Sequence, residues 1–184
     1  MKLLFINILS EAPSASFAED REFVSEYVNT AHAASEKMHL YEYDCILLYC
    51  SLQNTATREV LAEIGKLALN SGLIILSADI SVEYRIQALN SGADDCLTIP
   101  YHSEELGARI RAVIRRKKFN ARDQIHFANT VIDLGSKHVF VWNTLIPLTR
   151  KEYDIFIYLV MNHDKTVSHT RISDYLWGED ADNK

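Results

Sequence analysis

Short apolar runs without strict alternation recur through the first part of the chain, at Leu3 to Leu9, Cys45 to Cys50, Leu73 to Leu76 and Cys96 to Ile99. Runs of this kind suit strands buried on both faces. Between them apolar residues fall one helical turn apart: Val60, Ile64 and Leu67; Val82, Ile86 and Leu89; Leu106, Ile110 and Val113. Each set predicts a helix that lays one apolar stripe against a sheet. Tyr27 to Ala31 supplies a weaker second strand, which makes five. Strand and helix in alternation predict right-handed crossovers and a parallel sheet with helices on both faces.

The last of these helices is expected to start at Ser103 as N-cap, with Glu104 and Glu105 in its first turn, and to run toward Lys117. Phe119 to Gln124 is polar enough to be a linker. Beyond it the pattern shortens to Ile125–Ala128, Thr130–Leu134, His138–Trp142 and Thr144–Leu148, broken by Asn129, Gly135-Ser136 and Asn143. This spacing predicts a small antiparallel sheet of tight hairpins. The period then changes again. Tyr153, Phe156, Ile157 and Val160 lie three and four apart, so Thr149 can cap a helix through about Asn162. A turn at Asp164-Lys165 and a second helix from Ser168 follow, with Ile172 and Leu176 expected to face the first.

Composition adds limits. With 184 residues and 48% hydrophobic content, the chain can bury one large core or two small ones. The net charge of −6 divides into about −8 over residues 1–112 and about +2 over the rest. The basic cluster from Arg109 to Lys118 suits either a nucleic-acid partner or a solvated helix end. Cys45, Cys50 and Cys96 show no C-x-x-C spacing and read as small hydrophobes. No run approaches membrane-spanning length and the first residues are too soon broken for export, so a reducing cytoplasmic setting is expected.

Other chemistry finds little support. The seven histidines show no H-x-x-x-H pattern, Gly65-Lys66 lacks a phosphate-binding glycine loop, and Glu179, Asp180 and Asp182 lack the spacing of a calcium loop. No motif groups Ser, His and Asp as a triad. No metal, cofactor or enzymatic activity is expected.

The runs Gly92-Ala-Asp-Asp-Cys-Leu-Thr-Ile-Pro100, Glu104-Glu105-Leu106 with Ala108 to Arg111, Leu148-Thr-Arg-Lys-Glu-Tyr153, and Val167-Ser168 through Leu176-Trp177-Gly178 together resemble the OmpR/PhoB family of response regulators. The resemblance covers nearly the whole chain. It implies an α/β flavodoxin-like receiver at residues 1–118, a linker at 119–124, and part of an α+β winged-helix domain at 125–184.

A receiver of this family carries a phosphoryl group on an Asp ending its third strand, beside an acidic pair that holds Mg²⁺ and a Lys that contacts the phosphoryl oxygens. Each element needs charge, because Mg²⁺ favours carboxylates and the transferred group is anionic. Here the acceptor position falls on Tyr49, the acidic pair on Asn7, Ile8 and Leu9, and the Lys on Ile99; only the hydroxyl position, Ser77, is kept. Tyr49 reads as a buried aromatic before it reads as a modification site. Asp44 begins the third strand on its other face and is a poor substitute, while Glu11 lies in the first loop and could approach the site. The losses agree, since a Lys left without its acids would be a costly buried charge. A pseudo-receiver is the expectation.

The family pairs two receivers through its fourth helix, fifth strand and fifth helix. The matching charged positions are Arg85, Asp94, Asp95, Glu105, Arg109 and Arg116, which imply a homodimer or else a solvated face with Glu105 and Arg109 as an i,i+4 pair. The family's switch aromatic is replaced by Cys96. In the effector, only Glu179 to Lys184 follow Trp177-Gly178, so the recognition helix and wing are expected to be missing. His169 and Trp177 match positions that can contact DNA phosphate, or serve as a helix-start residue and a core plug. Tyr153, Phe156, Ile172 or Trp177 is expected to be left partly uncovered.

The expected function is a phosphorylation-independent OmpR-type transcriptional regulator that dimerises through its receiver and binds DNA in its full-length form. The alternative is a shortened module that pairs with other regulators and does not itself bind DNA; a receiver phosphorylated by unusual chemistry is a third reading.

Overall fold

The computed structural model describes residues 1–9, 23–68, 70–79, 81–119 and 124–177. The chain divides into two compact units, Met1–Lys117 and Lys118–Lys184.

In the first unit β1 (Lys2–Asn7), β2 (Val24–Val28), β3 (Cys45–Tyr49), β4 (Gly72–Ser77) and β5 (Asp95–Thr98) make a parallel sheet in the order β2-β1-β3-β4-β5. Strand alternation sorts the side chains between two cores. Leu4, Ile6, Ile46, Leu48, Leu73 and Ile75 pack under α1 (Ala31–Leu40), α2 (Thr55–Leu67) and α3 (Val82–Asn90). Leu3, Phe5, Leu47, Ile74, Leu76 and Leu97 point the other way, to Leu106, Ile110, Val113 and Ile114 of α4 (Ser103–Phe119). Both faces are thus covered, which is why the strands read as continuous apolar runs.

Four expectations change. The second strand lies at Val24–Val28, not Tyr27–Ala31, because the Thr30 side chain accepts from the Ala33 N–H and starts α1 there. The stripe Val82, Ile86 and Leu89 does not face the sheet; these residues are 55, 54 and 50% exposed. Tyr84 and Ala88 are buried in their place, with the Tyr84 hydroxyl donating to the Cys50 carbonyl at 3.0 Å. Ser81 caps the helix on the Tyr84 N–H and helps set this phase. The first helical bond of α4 runs from the Leu106 N–H to the His102 carbonyl, so His102 stands at the N-cap and Ser103 is already helical. The helix also extends through Phe119 and the next strand begins at Gln124, leaving the expected linker shorter at both ends.

In the second unit β6 (Gln124–Phe127), β7 (Thr130–Asp133), β8 (His138–Val141) and β9 (Thr144–Ile146) form an antiparallel meander. Trp142 and Asn143, between β8 and β9, both have positive φ, as a two-residue type I′ hairpin requires. Thr149 and Glu152 form a capping box at the start of α5 (Arg150–Met161). Ser168 accepts from the Arg171 N–H at the start of α6 (His169–Trp177). Ile132, Val139, Tyr153 and Ile157 are the buried core. Of the four residues expected to include a partly uncovered one, Tyr153 is covered by packing on β7 and β8, Phe156 and Ile172 are half-buried, and Trp177 is exposed. Tyr175, rather than Ile172 or Leu176, is the buried residue of α6, and its ring stacks on Tyr158 at 4.2 Å between centroids. No helix among the described residues is long and apolar enough to cross a membrane.

Candidate functional site

A parallel sheet gathers the carboxyl ends of all its strands at one edge, and residues distant in sequence meet there. Asn7 ends β1, Val28 ends β2, Tyr49 ends β3, and Ile99 follows β5. These four, with Asn29 and Tyr101 at the rim and Phe5, Leu47 and Leu76 beneath, line a cleft of about 350 Å³. Of the positions matched to the phosphorylation machinery, the cleft therefore unites Asn7, Tyr49 and Ile99.

It does not include the others. Ile8 packs toward the core under α1 to α3, and the Leu9 N–H donates to the Asn7 side chain at 3.1 Å. Ser77 is buried at the end of β4, where its hydroxyl accepts from the Asp79 N–H. Asp44 stands at the opposite edge of the sheet, buried, with its carboxylate accepting the Lys2 backbone N–H at 2.8 Å. Glu11 lies outside the described residues, as do Glu179, Asp180 and Asp182.

Sequence reading missed Phe5, Tyr27 and Tyr101 as members of this cleft. Phe5 and Tyr27 are register partners on β1 and β2, and their rings stack at 4.7 Å and 16°. Burial pushes the hydroxyls of Tyr27 and Tyr101 above the ordinary tyrosine pKa, so both stay protonated donors at neutral pH. The only signal in the sequence was that Phe5 alternates with Leu4 and Ile6. Mg²⁺ calls for hard anionic oxygens. Among the described residues the lining supplies amides, phenols and apolar groups and no carboxylate to hold that ion. Among the described residues no group of three or more His, Cys, Asp or Glu could hold a metal.

The charged surface set lies along α3, β5 and α4. Arg109 ties Asp95 and Glu105 together, at 2.9 Å to each, and these two carboxylates raise its already high pKa. Asp94 pairs with Lys117 at 3.3 Å, and its carbonyl accepts from Arg116 at 3.2 Å. Arg85 is exposed on α3, one residue from the exposed Ile86. In the second unit His169 is exposed at the start of α6, and Trp177 is 42% exposed with the Lys151 ammonium 4.7 Å above its ring.

A doubly covered five-stranded parallel sheet in the order 2-1-3-4-5, followed by a four-stranded sheet and two helices, defines a receiver joined to an effector domain. Comparison agrees with that class. Residues 10–111 match the response regulator receiver domain, and residues 143–184 match the C-terminal domain of transcriptional regulatory proteins. The chain is 32% identical over 167 residues to the transcriptional regulatory protein CiaR of Streptococcus pneumoniae, covering 88% of this chain and 74% of CiaR. It is 34% identical over 139 residues to the cell cycle response regulator CtrA of Brucella ovis, covering 76% of this chain and 60% of CtrA. The response regulator DrrB of Thermotoga maritima, an OmpR/PhoB homolog, shares the fold at a TM-score of 0.50 and 19% identity, over 97% of this chain and 80% of its own. The chain belongs to the OmpR/PhoB family of response regulators.

Proposed function

We propose that this chain is a phosphorylation-independent, DNA-binding transcriptional regulator whose receiver has become a dimerisation platform. In this reading the chain through α4 is a pseudo-receiver and the chain from β6 onward belongs to a winged-helix domain, acting in the cytoplasm. The observation that carries it is the cleft at the carboxyl edge of the sheet, where Asn7, Tyr49 and Ile99 stand and, among the described residues, none in the lining is a carboxylate or a lysine. Phosphoryl transfer relies on electrostatic stabilisation of an anionic group, and the described lining has no cation to supply it. Incubation with acetyl phosphate and Mg²⁺ should leave the intact mass unchanged. A phosphoryl adduct would overturn the reading.

Dimerisation is supported by the three exposed apolar residues of α3 beside the charged network of β5 and α4. Arg85, Asp94, Asp95, Glu105, Arg109 and Arg116 can exchange their partners within the chain for partners on a second copy. Arg109→Glu and Ile86→Asp should each weaken self-association in sedimentation, and wild-type association in both would count against the interface. DNA binding follows the family, with His169 and Trp177 proposed as phosphate contacts. Lowered affinity of His169→Ala at low salt in a gel shift would support it, and unchanged affinity would count against it. The same apolar residues also favour the alternative, a module that pairs with other regulators without binding DNA; pairing with no gel shift under any condition would select it.

A further inference from the structure

We propose that the cleft at the carboxyl edge of the parallel sheet binds a small, uncharged aromatic molecule. Its position is the first argument. The strand order reverses between β1 and β3, and open α/β sheets bind ligands outside the carboxyl ends of their strands at such a switch point. Here Asn7 and Tyr49, the last residues of those two strands, face the same space.

Size and chemistry narrow the occupant. A volume of about 350 Å³ lies at the lower end of the range of roughly 300–1,000 Å³ for ligand clefts, which suits a molecule of about one to three fused rings. Leu47 and Leu76 make an apolar floor, and the stacked Phe5 and Tyr27 rings offer a flat aromatic wall. Among the described residues no lining side chain is charged at neutral pH, so an anion or cation beside them would give up hydration without gaining a counter-charge. The phenols of Tyr27, Tyr49 and Tyr101 and the amides of Asn7 and Asn29 provide a few directional hydrogen bonds around that apolar floor. The lining thus combines aromatic surface with neutral polar groups.

The inference rests on the reading that this edge no longer handles phosphoryl groups. It is tested by titrating the full chain with the neutral fluorophore N-phenylnaphthylamine. Saturable enhancement at one molecule per chain is expected, and its absence overturns the proposal. Asn29→Trp, which fills the mouth, and Tyr101→Ala, which removes a wall, should each weaken binding about tenfold or more while circular dichroism stays native. Unchanged affinity in the natively folded variants overturns the assignment to this cleft. Naphthol should displace the probe and naphthoate should do so about tenfold less well; equal competition refutes the uncharged ligand. A phosphoryl adduct in the acetyl phosphate experiment would sink the wider functional reading, whereas the titration scores the unmodified chain independently.

Discussion

Gly72 is the first residue of β4, directly beneath α4, and Gly72→Ala should be strongly felt. An added Cβ would lie 2.3 Å from Cγ1 of Val113 and 3.4 Å from Sγ of Cys45. Carbon atoms rest comfortably at about 3.5–4.0 Å, so the helix or the valine must retreat by about 1.2–1.7 Å. Val113 is fully buried among Leu106, Ile110 and Ile114, and a β-branched side chain in a helix has one strongly preferred rotamer. It has nowhere cheap to turn. Overpacking of this kind costs about 1–3 kcal/mol, and replacing glycine in a strand returns about 0.5–1 kcal/mol of that. A net loss of about 1–2 kcal/mol should lower the melting temperature of the first unit by about 4–8 °C, read by circular dichroism. The control is Val113→Ala, which removes the clashing methyl group and alone leaves a cavity. If the clash is the cause, the double variant will be more stable than the summed single losses by about 1 kcal/mol or more. Additivity within about 0.5 kcal/mol would refute the reasoning. Because Arg109 lies on the same helix, 2.9 Å from Asp95, Gly72→Ala should also weaken self-association if α4 is what moves.

Four further outcomes are expected. Lys2 is buried, with its ammonium 2.8 Å from Glu26 in a contact too bent for a hydrogen bond and 4.0 Å from the Tyr41 ring centre. Lys2→Met should destabilise the first unit by about 2 kcal/mol in urea, less than an unpaired buried charge, because Lys37 and the Tyr43 hydroxyl still hold Glu26; an unchanged midpoint would contradict this. Burial by itself would raise the Glu26 carboxyl, but Lys2, Tyr43 and Lys37 hold it below its ordinary 4.5. Its stabilisation is therefore complete above that pH and lost as pH falls through the folded value, so the acid-side drop in melting temperature should shrink in Glu26→Gln, and an equal drop would argue against the linkage. Tyr49→Asp should not restore phosphorylation by acetyl phosphate, since Asn7, Ile8, Leu9 and Ile99 supply neither metal ligand acids nor an ammonium; a mass increase would show the cleft to be more competent than its lining implies. Thr149→Ala should cost the second unit about 1 kcal/mol by removing half of its capping box, and a neutral result would deny the cap its role.

Legibility varied with how local the cause was. The capping box at Thr149 and Glu152 and the hairpin turn at Trp142-Asn143 are short-range, and the sequence pattern anticipated both elements. The helix Ala31–Leu40 left no apolar stripe to find, because only Ala34 and Met38 are buried on it. On α3 the stripe was real but misleading. Val82, Ile86 and Leu89 have helical spacing, yet the Tyr84 ring and its bond to Cys50 took the inner face. Periodicity reveals that a helix has an apolar side; it does not reveal whether that side meets a sheet or solvent.

The sequence by itself determined the order and type of the elements and the division into a parallel α/β unit and an antiparallel unit with two helices. Burial on both faces and tight-turn chemistry are written into local runs of residues. Only the tertiary structure decided that Asn7, Tyr27, Tyr49, Ile99 and Tyr101 share one cleft, and that Ser77 and Ile8 turn away from it. The reason is topological: parallel strands bring their carboxyl ends to a common edge, and alternation along each strand then selects which residues reach it.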